Sequence, residues 1–171
     1  THVLAAVLLC VGLWHGGAGP LDLLTAFLAV VVLTNVWNFM DGINGITGGY
    51  SLVVLGTLAI VNHKLNFIDM NLIAILMISL VIFCFFNFRK TARCFAGDVG
   101  AVTIAFAVIF MVFSLIIKTE NVLWIMLLVV YGVDTVLTIL HRLMLKENIF
   151  KPHRKHAFQL MANELKMPHT A

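Results

Sequence analysis

Residues 35–49 read NVWNFMDGINGITGG, with three asparagines, one aspartate and four glycines between two apolar runs at roughly 21–37 and 50–62. Asn35, Asn38 and Asp41 recur every third residue, which would align them along one face of a helix end. Gly42, Gly45, Gly48 and Gly49 allow a sharp turn and a close approach of a ligand to the backbone. Asparagine and aspartate provide hard oxygen ligands for magnesium and donors for a nucleotide base. No glycine is followed by Lys-Ser or Lys-Thr, so the stretch is not a P-loop. A loop merely rich in turn residues remains the competing reading. Against it, amides near the membrane cost free energy unless paired.

The surrounding chain explains why that cost matters. Hydrophobic residues make up 61% of 171 positions and charged residues 11%, and mean hydropathy is +1.04. Soluble domains run about 45–50% apolar and about 25% charged, so the composition specifies an all-α, polytopic membrane bundle. Six apolar runs, near 3–14, 21–37, 50–62, 67–86, 100–117 and 121–140, predict about six transmembrane helices. The first run looks truncated, begins with Thr1 and lacks a basic n-region, so the expectation is the C-terminal portion of a larger membrane protein, not a signal peptide. Cys10, Cys84 and Cys94 form no CxxC pair and read as small core residues. No repeat or linker divides the chain. The expected organisation is a helical region over 1–140, with polar loops at 38–49 and 87–99, and a basic tail over 141–171.

Polar connections alternate between two sides. One side receives 38–49, 87–99 and the tail, carrying Arg89, Lys90, Arg93, Arg142, Lys146, Lys151, Arg154, Lys155 and Lys166; the other carries Lys64 and Lys118. Nine cations against two place the first side in the cytoplasm. The net charge of +3 is therefore a basic membrane face. Without a solvated basic helix or an aromatic stacking platform, nucleic acid is not an expected partner; anionic membrane lipids or a phosphate-bearing substrate are.

All three unusual polar stretches emerge on that cytoplasmic face. In the second, NFRKTARCFAGDVGA over 87–101, Asp98 lies between Gly97 and Gly100 and opens an apolar run. Capping of the next helix accounts for it on one reading. A carboxylate among Arg89, Lys90 and Arg93 also resembles a magnesium–phosphate site. In the third, His153 and His156 at i and i+3 are too few for a zinc site. The basic tail fits either lipid-surface attraction or pyrophosphate binding through arginine forks and histidine donors. Asp134, inside the last run, is a functional candidate by position, with a structural bond to Thr138 or a neighbouring helix as the alternative.

The order NxxNFxDGxxG, then an asparagine followed by FxGDxG, then a basic tail with HRxH, resembles the polyprenyl-phosphate N-acetylhexosamine-1-phosphate transferases. These are glycosyltransferase family 4 enzymes related to the phospho-N-acetylmuramoyl-pentapeptide transferase. The similarity runs from residue 35 to about 165, and the tail is similar to the branch that starts O-antigen or capsule units, without the triple histidine of the peptidoglycan enzyme. The resemblance implies a bundle of about ten helices in the bacterial inner membrane with its site on the cytoplasmic face. It implies Asp98 as a magnesium ligand, with manganese as a substitute, and Asn38 close to metal and pyrophosphate. It implies Asp41 at the catalytic centre, Asn44 and Asn87 on the uridine side, and His153, Arg154 and His156 gripping diphosphate and sugar, with His156 among the catalytic groups.

The implied partners are a UDP-N-acetyl sugar and undecaprenyl phosphate; a homodimer is compatible with the sequence. Two departures stand out. RCFAGDVGAV has Ala96 where methionine is more usual and lacks an earlier proline–alanine pair. The paired aspartates of an earlier loop are absent, since no DD occurs, so this stretch alone is expected to be inactive. A transporter or channel fragment is the rival from another class, suited by Asp134 and the glycine-rich break. It would place polar residues at the midplane and on both faces, whereas here they gather on one. A non-catalytic anchor would need none of Asn35, Asn38, Asp41 and Asp98.

Overall fold

The computed structural model describes residues 2–15 and 17–147. Six α-helices follow in order: α1 His2–His15, α2 Pro20–Met40, α3 Ile46–Leu65, α4 Met70–Asn87, α5 Gly97–Thr119 and α6 Val129–Met144. A 3-10 segment, Val122–Leu128, runs directly into α6. Among the described residues, five helical spans are long and apolar enough to cross a membrane: α2, α3, α4, α5 and the combined Val122–Met144; α1 is shorter. At about 1.5 Å per residue the longer ones match a hydrocarbon core of about 30 Å. This is a multi-pass membrane protein.

Short polar signals set the helix boundaries. Pro20 opens α2, where its missing N–H costs nothing, and Asp22 Oδ2 accepts from the Gly19 N–H at 2.9 Å. Asp69 caps α4 by accepting from the Asn71 N–H at 2.9 Å. Asn66 ends α3 in the left-handed region. Asn121 Oδ1 accepts from the Leu123 N–H at 3.0 Å and starts the 3-10 segment.

Helix α5 is the central element, packing on α1, α2, α3 and the 3-10 segment, while α1 pairs with α2 and α3 with α4. Ala26, Val30, Leu58, Val108, Ile109 and Val112 form part of the buried core. Val53, Ile60, Ile75, Ile78 and Phe85 stand exposed, as expected where the outer solvent is lipid. Lipid offers no hydrophobic drive between helices, so close approach depends on small residues. Gly48 is such a site: a Cβ there would lie 2.4 Å from Cys84 Sγ on α4.

Asn62 closes the α3–α4 connection at the opposite end from residues 41–45. Its Oδ1 accepts from the N–H groups of Phe67 (2.9 Å) and Ile68 (3.0 Å), and its Nδ2 donates to the Ile68 carbonyl (2.8 Å). Asn62 is 1% exposed. Asn62→Ala leaves these groups without their side-chain partner, and we predict a loss of about 2 kcal/mol, read as a lowered midpoint of thermal or SDS unfolding. An unchanged midpoint would show that water serves the turn equally well.

Three sequence expectations need adjustment. The polar turn is shorter than 38–49: α2 continues to Met40 and α3 begins at Ile46, so Gly48 and Gly49 are helical and only Gly45 among the four glycines has positive φ. The last apolar run is not one regular helix, because Val122–Leu128 within it is 3-10. Helix α6 also extends past residue 140 to Met144. Cys10, Cys84 and Cys94 are all free thiols.

Candidate functional site

The C-terminal ends of α2 and α4 and the N-terminal ends of α3 and α5 meet at one end of the bundle. Direct hydrogen bonds join the two polar loops there. The Gly45 N–H donates to Asn87 Oδ1 at 2.6 Å, and Asn44 Nδ2 donates to the Arg89 carbonyl at 2.8 Å. Asn87 Nδ2 in turn donates to the Cys94 carbonyl at 2.8 Å. Stretches more than 40 residues apart in sequence therefore form one polar surface at the membrane boundary.

Asp41 is the residue at which α2 ends, and it is half-buried. Burial pushes its carboxyl above the ordinary carboxylate range. The nearby Thr47 hydroxyl partly offsets that rise, although it falls short of hydrogen-bond geometry. Asn38, one turn earlier, is half-buried and makes no side-chain hydrogen bond among the described residues. Asn35, by contrast, donates from Nδ2 to the Val31 carbonyl of its own helix at 2.8 Å, so one of its amide donors is engaged within the helix.

Asp98 lies in the first turn of α5 and is exposed. The capping explanation does not hold: Ala96 occupies the N-cap position in a helical conformation, and no side chain caps the helix. Gly97 takes φ +59, which turns the chain sharply into α5 and leaves the neighbouring carboxylate projecting from the surface. Of the cations in the same loop, Arg89 is held back against α4: its Nε donates to the Phe85 carbonyl at 2.8 Å and its guanidinium covers the Phe85 ring at 4.7 Å. Lys90 and Arg93 are exposed.

The donor set suits magnesium in kind. Magnesium retains several waters and uses one or two carboxylates plus substrate phosphates, rather than an all-protein cage. Asp98 offers an exposed carboxylate, and Asp41 and Asn38 offer further oxygens. No cluster of three or more His, Cys, Asp or Glu side chains occurs among the described residues, so a ligand-rich zinc-type site does not form there. His153, Arg154 and His156 lie outside the described residues.

Sequence reasoning passed over the packing beneath Asp41. Trp37, Tyr50 and Tyr131 form an aromatic cluster joining α2, α3 and α6, with centroids 4.7 Å apart for Trp37–Tyr131 and 4.1 Å for Tyr50–Tyr131. Tyr50 donates to the Leu127 carbonyl at 2.6 Å, where the 3-10 segment meets α6, and Tyr131 to the Ile46 carbonyl at 3.2 Å. Trp37 Nε1 and the hydroxyls of Thr47, Ser51 and Thr135 are buried without a hydrogen-bond partner among the described residues. Thr34, Thr57, Ser79, Thr103, Ser114 and Thr119 all donate to carbonyls of their own helices. The available signal was two tyrosines in apolar runs, each of whose hydroxyls needs a partner. Asp134 is half-buried on α6, and Arg142, 3% exposed, pairs with Glu147 at 3.3 Å.

Comparison with known proteins gives a consistent result. Residues 6–117 match the family model described as glycosyl transferase family 4. A probable undecaprenyl-phosphate N-acetylglucosaminyl 1-phosphate transferase of Bacillus subtilis (strain 168) is 28% identical over 136 residues, covering 75% of this chain and 37% of the relative. An undecaprenyl-phosphate alpha-N-acetylglucosaminyl 1-phosphate transferase of Yersinia pestis is 27% identical over 160 residues, 88% of this chain and 43% of the relative. A phospho-N-acetylmuramoyl-pentapeptide-transferase of Latilactobacillus sakei subsp. sakei (strain 23K) is 30% identical over 132 residues, 77% of this chain and 38% of the relative. The chain thus spans about two fifths of the length of these relatives. No solved structure matches.

Proposed function

Because the chain belongs to glycosyl transferase family 4, we propose that its protein transfers a phospho-N-acetylhexosamine, GlcNAc-1-phosphate in the first instance, from a UDP-sugar to undecaprenyl phosphate. The glycan so started would be an O-antigen, capsule or other cell-envelope polymer, built from the cytoplasmic face of the bacterial inner membrane. The observation that carries the reading is the pairing of the 41–45 turn with the 88–96 loop at one end of an apolar bundle. Such a surface suits a reaction between a water-soluble donor and a membrane-bound acceptor, and the names of the matched relatives point to the same reaction.

The chemistry asks the protein mainly for positioning and charge neutralisation. The lipid phosphate is already anionic near neutral pH, its second pKa being about 6. One of its oxygens attacks the sugar-side phosphorus of the UDP-sugar; a new P–O bond forms, the bond to the UMP phosphate oxygen breaks, and UMP leaves with that electron pair. Asp98 and Asn38 would hold magnesium, or manganese in its place, and Asp41 would line the catalytic centre. When bound, the ion supplies Lewis-acid neutralisation of the diphosphate. Lys90 and Arg93, and in the tail His153, Arg154 and His156, would offset phosphate charge.

The test is release of UMP from UDP-GlcNAc by the protein expressed from its complete open reading frame, with undecaprenyl phosphate and magnesium. Lipid-dependent UMP is expected. Absence of UMP with every UDP-N-acetylhexosamine tried would overturn the proposal.

A further inference from the structure

Asn87 is the last residue of α4, and an apolar helix that ends in asparagine presents an amide just where its final carbonyls need company. A primary amide is both donor and acceptor. Here both functions are engaged within the protein: Oδ1 accepts from the Gly45 N–H and Nδ2 donates to the Cys94 carbonyl. Asn87 is 5% exposed, which leaves little of it for a nucleotide to touch. Its two partners sit at matching distances from the acidic residues: Gly45 is four residues after Asp41, and Cys94 four before Asp98.

We propose that Asn87 is a positioning residue that sets the placement of the Asp41 turn against the Asp98 loop and does not contact the uridine; the inference rests on the transferase reading and names how its site is held in register. Gly45 is the other half of the clasp. Its φ of +85 lies in the left-handed region, and a Cβ there would fall 1.9 Å from the Phe88 ring. Any Cβ at position 45 would have to displace the Phe88 ring for the turn to keep its N–H on Asn87. Asn44, bonded to the Arg89 carbonyl, adds a second strap. Asp41 and Asp98 belong to different helix ends, so loosening the clasp moves them relative to each other, and misplacement by about 1 Å costs on the order of 100-fold in rate.

The experiment compares Asn87→Ala, Asn87→Asp and Gly45→Ala in the protein expressed from its complete open reading frame and reconstituted in lipid nanodiscs. Steady-state kinetics with UDP-GlcNAc are measured alongside hydrogen exchange of the 42–49 segment. Asn87→Ala should lower kcat about 100-fold while KM for UDP-GlcNAc changes by less than about threefold. Gly45→Ala should show the same split, although its added methyl offers nothing to a nucleotide. Asn87→Asp keeps the acceptor for Gly45 but loses the donor to Cys94, so its kcat should fall between wild type and Asn87→Ala. Exchange over 42–49 should quicken in Asn87→Ala while α5 stays protected, which separates a released turn from an unfolded bundle.

A KM raised tenfold or more with kcat intact would assign Asn87 to the nucleotide and overturn the proposal. Unchanged exchange in Asn87→Ala, or a Gly45→Ala protein that behaves as wild type, would overturn it equally. If the parent protein releases no UMP, the transferase reading fails by itself, and the exchange measurement still decides the clasp.

Discussion

If Asp98 holds magnesium as proposed, Asp98→Ala is expected to lower UMP release by about 1,000-fold or more, since removing a metal-ligand carboxylate withdraws several kcal/mol of transition-state stabilisation and each 1.36 kcal/mol is tenfold. Stability should barely change. Asp98 is exposed, caps no helix and, among the described residues, makes no hydrogen bond that holds the bundle; its favourable placement at the N-terminus of α5 is worth only about 0.3–1 kcal/mol. The measurement pairs an activity assay across a magnesium titration with a thermal midpoint in the same detergent. Full activity together with a lowered midpoint would reduce Asp98 to a helix-terminus charge. Loss of activity that excess magnesium partly restores in Asp98→Asn would support a ligand role.

The largest stability effect should come from Trp37. It is fully buried and touches both Tyr50 and Tyr131, so it couples α2 to α3 and α6. Trp37→Ala is expected to cost about 3–5 kcal/mol through lost packing and the cavity left behind. Trp37→Phe should cost much less: it keeps an aromatic ring in the cluster and removes an indole N–H that has no partner among the described residues. SDS or thermal unfolding of the two variants checks the pair. Equal losses would mean that the N–H, not the ring, makes the important contact.

The helical spans were legible because apolar composition and length are properties of consecutive residues, and every apolar run became helical. Boundaries were less so. Gly48 and Gly49 read as turn residues, yet in α3 Gly48 serves close packing against Cys84, a contact set by a helix some 36 positions away. The 3-10 start of the last span was hidden for a similar reason: VLWIMLL carries no breaker, and Tyr50, from another helix, supplies a hydrogen bond to the carbonyl where the winding changes.

Asp41, Asn38 and Asp98 could be put forward as candidates from the sequence, because carboxylates and amides at the edges of apolar runs are costly without a purpose. What each polar side chain touches could not. Asn35 and Asn38 look equivalent at a spacing of three, but one amide is spent on its own helix. A helix cap is one of two readings of Asp98 until Ala96 is found in the cap position.

The sequence by itself determined that this is a membrane bundle and set the expectation that its polar stretches share one face, since hydropathy and the asymmetry of lysine and arginine depend on composition along the chain. Only the tertiary structure decided that Asn87 and Gly45 are partners, that Asp98 is exposed and caps no helix, and that Trp37, Tyr50 and Tyr131 pack beneath Asp41. The physical reason is range. A hydrogen bond or an aromatic contact depends on atoms brought within a few ångströms by the packing of separate helices, and nothing in the local pattern records which helix will supply them.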